Sequence, residues 1–181
     1  MQKFIVILDS AHRSLLADPT LECFLVETSA GRDFIASLLA EAAPLGKMIL
    51  LSGEGAAELC KELNADGVVL DVSNVERFKA LIAETRGVIG NSRALGVMTR
   101  NRRHEAMIVS EMEPDFVVFS AWVDGAEKSR DLVAWYNELF LIQSAIMVRD
   151  ENLDFSGFDC DIVILSASAY TIFVAKKQSL D

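Results

Sequence analysis

The stretch Gly67-Val68-Val69-Leu70-Asp71 is a short apolar run that closes on a carboxylate, and Val72-Ser73-Asn74 follows it at once. It lacks polar alternation, so it reads as a strand buried on both faces. Ser73 or Asn74 then caps a helix running to Thr85, with Val75, Phe78, Leu81 and Ile82 on one face. A buried strand followed by an amphipathic helix is the repeating unit of parallel α/β folds.

Outward from this unit the pattern recurs. Comparable apolar runs occupy 4–9, 23–28, 47–52, 87–92, 116–122, 139–144 and 161–166. Helical patterns lie over 33–43, where Phe34, Leu38 and Ala42 align, and over 54–63, 104–112, 128–138 and 169–176. Segments 11–16 and 149–154 are long enough for only a turn or two of helix. Parallel strands joined by right-handed crossovers, at roughly 20–25 residues per unit, predict closure into an eight-stranded (β/α)8 TIM barrel. With 181 residues against the roughly 250 usual for this fold, the barrel must have shortened helices and loops. An open doubly wound parallel sheet is the alternative.

Residues 1–181 read as one domain, with 51% hydrophobic residues to fill a core. A net charge of −10 argues against nucleic-acid or anionic-membrane partners, while a small phosphorylated metabolite needs only a local basic site. Cys23, Cys60 and Cys160 lie far apart within apolar stretches, the usage expected of reduced, buried thiols in a cytoplasmic protein. The first apolar run ends at Asp9, too soon for a signal peptide or membrane span. Trimmed helices predict uncovered apolar surface and hence a possible homodimer.

From Glu58 onward the chain resembles the thiamine phosphate synthase family, including its TenI-like relatives. Glu58-Leu59-Cys60 leading to Asn64-Ala65-Asp66-Gly67-Val68-Val69-Leu70 is similar to the family's D-L-A…G-A-D-G-V-H-L. Val88-Ile89-Gly90-Asn91-Ser92 is similar to its I-G-x-S strand, Asp115-Phe116-Val117 to D-Y-V, and Ile164-Leu165-Ser166-Ala167 to V-V-S-A. Lys128 stands at the spacing of the lysine in T-x-T-K. The resemblance implies a barrel transferase of thiamine biosynthesis, with Lys128 and Ser92 as catalytic positions.

The departures bear on activity. The family's Q-L-R-E-K is Leu25-Val26-Glu27-Thr28-Ser29 here, and its Asn-Asp pair for diphosphate and Mg²⁺ is Ser52-Gly53. Its G-Q is Asp71-Val72, its two threonines are Gly125 and Glu127, and its seventh-strand G-G is Ser144-Ala145. Diphosphate transfer needs cations where leaving-group charge develops, so these changes imply loss of the full transferase activity. Glu58 and Asp71 are the remaining candidate Mg²⁺ pair, since hard carboxylates suit that ion. The plainer alternative makes Glu58 a solvated helix residue and Asp71 a helix cap.

In a β/α barrel the chemistry sits at the C-terminal strand ends. The predicted ligand-binding rim is Asp9, Glu27, Ser52, Asp71, Asn91, Ser92, Arg93, Ser120, Trp122 and Gln143. Ser166-Ala167-Ser168 opens a helix whose free N–H groups suit phosphate, and Ser144-Ala145 are expected to complete that pocket. Arg93, Arg100, Arg102, Arg103 and His104 form the concentrated basic stretch. His12 and His104 fit no triad or metal spacing. The expected function is a divergent thiamine phosphate synthase-like barrel binding a small phosphorylated or heteroaromatic ligand. The alternatives are a non-catalytic regulatory or assembly barrel, or another phosphate-binding barrel enzyme using Asp9 and Asp71.

Overall fold

A computed structural model describes residues 2–123 and 125–178. Eight strands form one closed barrel in sequence order, every neighbouring pair parallel: β1 (Lys3–Ile7), β2 (Cys23–Glu27), β3 (Met48–Ser52), β4 (Gly67–Asp71), β5 (Ala94–Met98), β6 (Phe116–Ser120), β7 (Gln143–Val148) and β8 (Ile162–Ser166). Six α-helices pack outside: α1 (Arg32–Ala42), α2 (Ala56–Leu63), α3 (Phe78–Ile89), α4 (Arg103–Ser110), α5 (Ala126–Leu139) and α6 (Ala167–Gln178). The fold is the TIM barrel, and the open sheet is excluded by the β1–β8 ladder.

The barrel is trimmed at two crossovers. A 3-10 segment, Ser10–Ala17, stands between β1 and β2, and the β7–β8 link contains no helix. There Phe155 packs on Phe4 and Phe173, with ring centroids 6.1 and 5.0 Å away. Arg130 holds the link from α5: its guanidinium lies 5.1 Å from the Phe158 ring and donates to the Asp154 carbonyl at 3.0 Å. Aromatic bulk thus replaces the missing helix, which is how 181 residues close a barrel. No described helix is long and apolar enough to cross a membrane.

Following hydrogen-bonded partners around the sheet from Lys3 leads to the level of Ala11, eight residues further on. That shear gives the strands the tilt of a TIM barrel, whose interior side chains stack in layers of four from alternate strands. Rising along the axis, the pairing stacks Lys3, Met48, Ala94 and Gln143; then Cys23, Gly67, Phe116 and Ile162; then Ile5, Leu50, Gly96 and Ala145. Above these come Leu25, Val69, Val118 and Ile164, then Ile7, Ser52, Met98 and Met147. Glu27, Asp71, Ser120 and Ser166 form the top layer, at the C-terminal mouth. The outward residues, including Val6, Phe24, Ile49, Val97, Val117, Ile146 and Val163, are fully buried under the helices. Both strand faces are therefore apolar, as the uninterrupted runs predict.

Two strands differ from their sequence assignment. Residues 87–92 are the last turn of α3 and the turn after it, and the fifth strand begins at Ala94. Ile89 is apolar because it is buried beneath α3, which gives a helix end the look of a strand. Likewise Leu139 closes α5, and Leu141 is fully exposed in the link before β7 starts at Gln143. Asn91, Ser92, Arg93, Gln143, Ser144 and Ala145 are consequently shifted away from the C-terminal mouth toward the N-terminal end.

At that N-terminal end a clamp recurs. The residue before β4, β6 and β8 is aspartate: Asp66, Asp115 and Asp161. Each carboxylate accepts a backbone N–H of the preceding strand, from Ile49 at 2.7 Å, Leu95 at 2.7 Å and Ser144 at 2.9 Å. Each aspartate N–H in turn donates to the carbonyl of that same residue. The pair of bonds fixes strand register where a ladder would otherwise fray.

The thiols are free, and Cys60 and Cys160 are buried. Burial pushes Cys23 up to about 12, with the Asp66 and Glu22 carboxylates adding to the effect. Burial likewise pushes Cys160 up to about 11. An unfolded chain releases such protons near ~8.5 whereas the folded chain keeps them, so the folded state binds more protons above that pH. The thiol contribution to stability is complete below about pH 8.5 and declines as pH rises toward the folded values. At pH 8 Cys23 is therefore held as the thiol. Alkylation of the native protein is expected to be slow until denaturant is added, and rapid labelling of Cys23 in the folded state would contradict this burial.

Candidate functional site

The C-terminal mouth is polar above an apolar floor. Glu27, Asp71, Ser120 and Ser166 share the top inward layer, and Ser52 lies one layer down beside Ile7, Met98 and Met147. Period-two alternation puts these side chains inside the barrel, two residues beyond the buried core positions Leu25, Val69, Val118 and Ile164. No cation belongs to either layer. The mouth itself presents two carboxylates and three hydroxyls.

Several of these groups already have partners. Asp71 accepts from the Ser73 backbone N–H at 2.9 Å and hydroxyl at 2.6 Å, so it holds the turn that leads toward α3. Glu27 accepts from the Ser29 hydroxyl at 3.3 Å. Asp9 lies past β1 and caps the 3-10 segment, accepting from the His12 N–H at 3.0 Å with the His12 ring 2.8 Å away. The hydrogen bond to the His12 side chain holds the Asp9 carboxyl below its ordinary range. Ser120 is buried, and Asn101 clasps its backbone, donating to its carbonyl at 2.7 Å and accepting its N–H at 3.0 Å.

The predicted phosphate pocket is not assembled as expected. Ser144 and Ala145 sit low on β7, and Ser144 is fully buried with its N–H on Asp161. Ser166 caps α6 by accepting the Ala169 N–H at 3.1 Å. Its hydroxyl lies 3.0 Å from that of Ser168, which donates to Glu151 at 2.5 Å. A carboxylate therefore already occupies the surroundings of this helix start, while Ala167 is buried. Ser92 and Asn91 lie on the turn after α3. Arg93 is bound there by the carbonyls of Ala65 and Ile89, at 3.1 and 3.0 Å, and by Asn64. Gln143 opens β7 at the far end. Asn91, Ser92, Arg93, Gln143, Ser144 and Ala145 do not reach the mouth.

Positive charge lies beside the mouth, on the helices that follow β5 and β6. Asn101, Arg103, Lys128, Ser129 and the acidic Asp131 line a groove of about 220 Å³ between the starts of α4 and α5. Lys128 is exposed in the first turn of α5, and the Arg103 guanidinium stacks 4.9 Å from the Trp135 ring. At the end of β7 stands Arg149, its guanidinium 4.0 Å from the centroid of the partly exposed Trp122 ring. Arg149 went unrecognised in the sequence because the seventh run was placed four residues early. Glu58 and Asp71 line one cleft of about 340 Å³ between α2 and α3, together with Glu54 and Glu84. Among the described residues no three metal-type ligands converge.

The fold and this mouth define a TIM-barrel protein with polar C-terminal strand ends and basic side chains beside them. No protein-family model matches the chain. A thiamine-phosphate synthase from Hyphomonas neptunium is 27% identical over 124 residues, covering 68% of this chain and 53% of that protein. The chain thus matches about half the length of this curated relative. The solved structure of tryptophan synthase from M. tuberculosis superposes with a TM-score of 0.67 at 11% identity, over 97% of this chain and 86% of the other. That likeness establishes the barrel fold.

Proposed function

We propose that this chain is a divergent thiamine phosphate synthase-like barrel that binds a small phosphorylated or heteroaromatic ligand at its C-terminal mouth, without the full transferase activity. The observation that carries the reading is the juxtaposition of a hydroxyl- and carboxylate-lined mouth with the groove holding Lys128 and Arg103. The similarity to the Hyphomonas neptunium protein supports the lineage. Lys128 and Arg103 supply charge for one phosphate group, and Trp122, one ring face of which Arg149 covers, has its other face for a heteroaromatic group. The loss of transfer follows from the mouth: where diphosphate charge would develop, Glu27 and Asp71 repel it. Glu58 and Asp71, in the cleft they share with Glu54 and Glu84, would offer Mg²⁺ carboxylates alone.

The test is a turnover assay joining a pyrimidine diphosphate to a thiazole phosphate, run beside a binding titration with thiamine phosphate. Binding without turnover is expected. Lys128→Ala should weaken it by about tenfold, the equivalent of one charge-assisted hydrogen bond. Sustained turnover would refute the loss of activity, and unchanged binding by Lys128→Ala would remove the groove from the site.

A second reading, an assembly subunit, is favoured by the exposed Leu45, Met48, Leu139 and Leu141, which lie on helix ends, a strand start and a link at the N-terminal end. Sedimentation at micromolar concentration separates the two. A dimer dissociated by Leu141→Glu supports assembly, whereas a monomer disposes of it.

A further inference from the structure

We infer that the N-terminal mouth of the barrel is a second small-molecule site, shaped for an amphipathic monocarboxylate with a hydrocarbon body. A cavity of about 520 Å³ opens there, walled by Ile5, Leu50, Phe116 and Ile162, with Cys23 and Met48 toward its lip. It lies below the interior core, at the opposite end of the strands from the mouth carrying Glu27 and Asp71.

The cavity has a cause in the sequence. A TIM barrel ordinarily fills its axis with layers of bulky side chains. Here the lowest three layers contain Ala94, Gly67, Gly96 and Ala145, which supply little or no bulk. Phe116 leans into the place that Gly96 leaves free: a Cβ on Gly96 would stand 2.3 Å from its ring. The ring thereby closes the upper end and leaves the lower layers open. The resulting volume falls in the range of small-molecule pockets, which are apolar with a few polar groups that fix orientation.

Those polar groups determine the ligand's head. Lys3 and Gln143 stand in the lowest layer on strands flanking β8, opposite the Met48 and Ala94 half of the ring. Neither side chain is engaged by another described residue. One ammonium and one amide suit a single carboxylate. The acidic residues of the lip set the limit on charge. Asp115 is committed to the Leu95 N–H and to Arg86, at 2.7 and 3.1 Å. Glu22 stays exposed on the lip and opposes a second negative charge. A diphosphate is disfavoured on that ground relative to a single carboxylate.

The experiment is calorimetric titration of the full chain with sodium decanoate and, separately, with decanol. One saturable decanoate site per chain is expected. Lys3→Glu, a change on an exposed side chain, should weaken decanoate by about tenfold and leave decanol nearly unchanged. Ala94→Phe fills the cavity from β5 and should abolish both, with native circular dichroism showing that the variant folds. Absence of saturable binding overturns the inference, as does equal binding by a folded Ala94→Phe. A dimer that must dissociate before decanoate binds would also overturn it, assigning the face to a second copy. Phosphate binding at the other mouth is unaffected by either substitution, so failure here is distinct from failure of the proposed function.

Discussion

Replacing Gly67 by alanine is expected to lower the melting temperature by roughly 6–12 °C, from an overpacking cost of about 3 kcal/mol. A Cβ at this position would lie 2.3 Å from the Ala94 carbonyl oxygen and 2.9 Å from its carbonyl carbon. Both belong to the backbone of the adjoining strand, so no rotamer change relieves the clash. The β4–β5 ladder must separate instead. Gly96→Ala provides the contrast: its Cβ meets the Phe116 ring, also at 2.3 Å, and that ring has the N-terminal cavity to turn into. Thermal melts of the two variants should therefore differ, with Gly67→Ala the less stable. Equal melting temperatures would contradict the tight β4–β5 approach.

Asp115→Ala should cost about 2–3 kcal/mol, the largest effect among the three clamp aspartates. It leaves the Leu95 N–H, beside a fully buried side chain, without its 2.7 Å acceptor. It also removes one partner of the Arg86 guanidinium, which keeps the Gly90 and Arg93 carbonyls; that half-exposed ion pair adds only a few tenths of a kcal/mol. Asp115→Asn keeps an acceptor oxygen and should recover about half the loss. Denaturant midpoints of wild type, Asp115→Asn and Asp115→Ala are expected in that descending order. An alanine variant as stable as wild type would show that the clamp does not hold the register.

Much of this architecture was legible because a barrel strand is buried on both faces. Runs such as 67–71 and 161–166 stand out for that reason, and their closing polar residues fall at the mouth. Glu27, Ser52, Asp71, Ser120 and Ser166 were found by that rule and share the inward parity. The rule failed where strand apolarity was low and neighbouring apolarity was high. β5 contains Ala94 and Gly96, the glycine because Phe116 takes its space, whereas Ile89 nearby is apolar for helix packing. Leu141 misled in the opposite way, being apolar and exposed. Misplacing these two strands carried Asn91, Ser92, Arg93, Gln143, Ser144 and Ala145 to the wrong end and concealed Arg149. The clamp aspartates were visible as residues, but their shared role emerges only when the strands are laid side by side.

The proposed function requires the C-terminal mouth to bind a small phosphorylated molecule without Mg²⁺. The direct measurement is a thermal-shift titration of wild type and Lys128→Ala with thiamine phosphate and with pyrophosphate, each with and without Mg²⁺. Ligand at 100 times its dissociation constant adds about 2.7 kcal/mol, which for a chain of this size is roughly 5–10 °C. Such a shift is expected for wild type with thiamine phosphate, largely independent of Mg²⁺ and lost in Lys128→Ala. No shift with either phosphate, or a shift that appears only with Mg²⁺ and persists without Lys128, would contradict it.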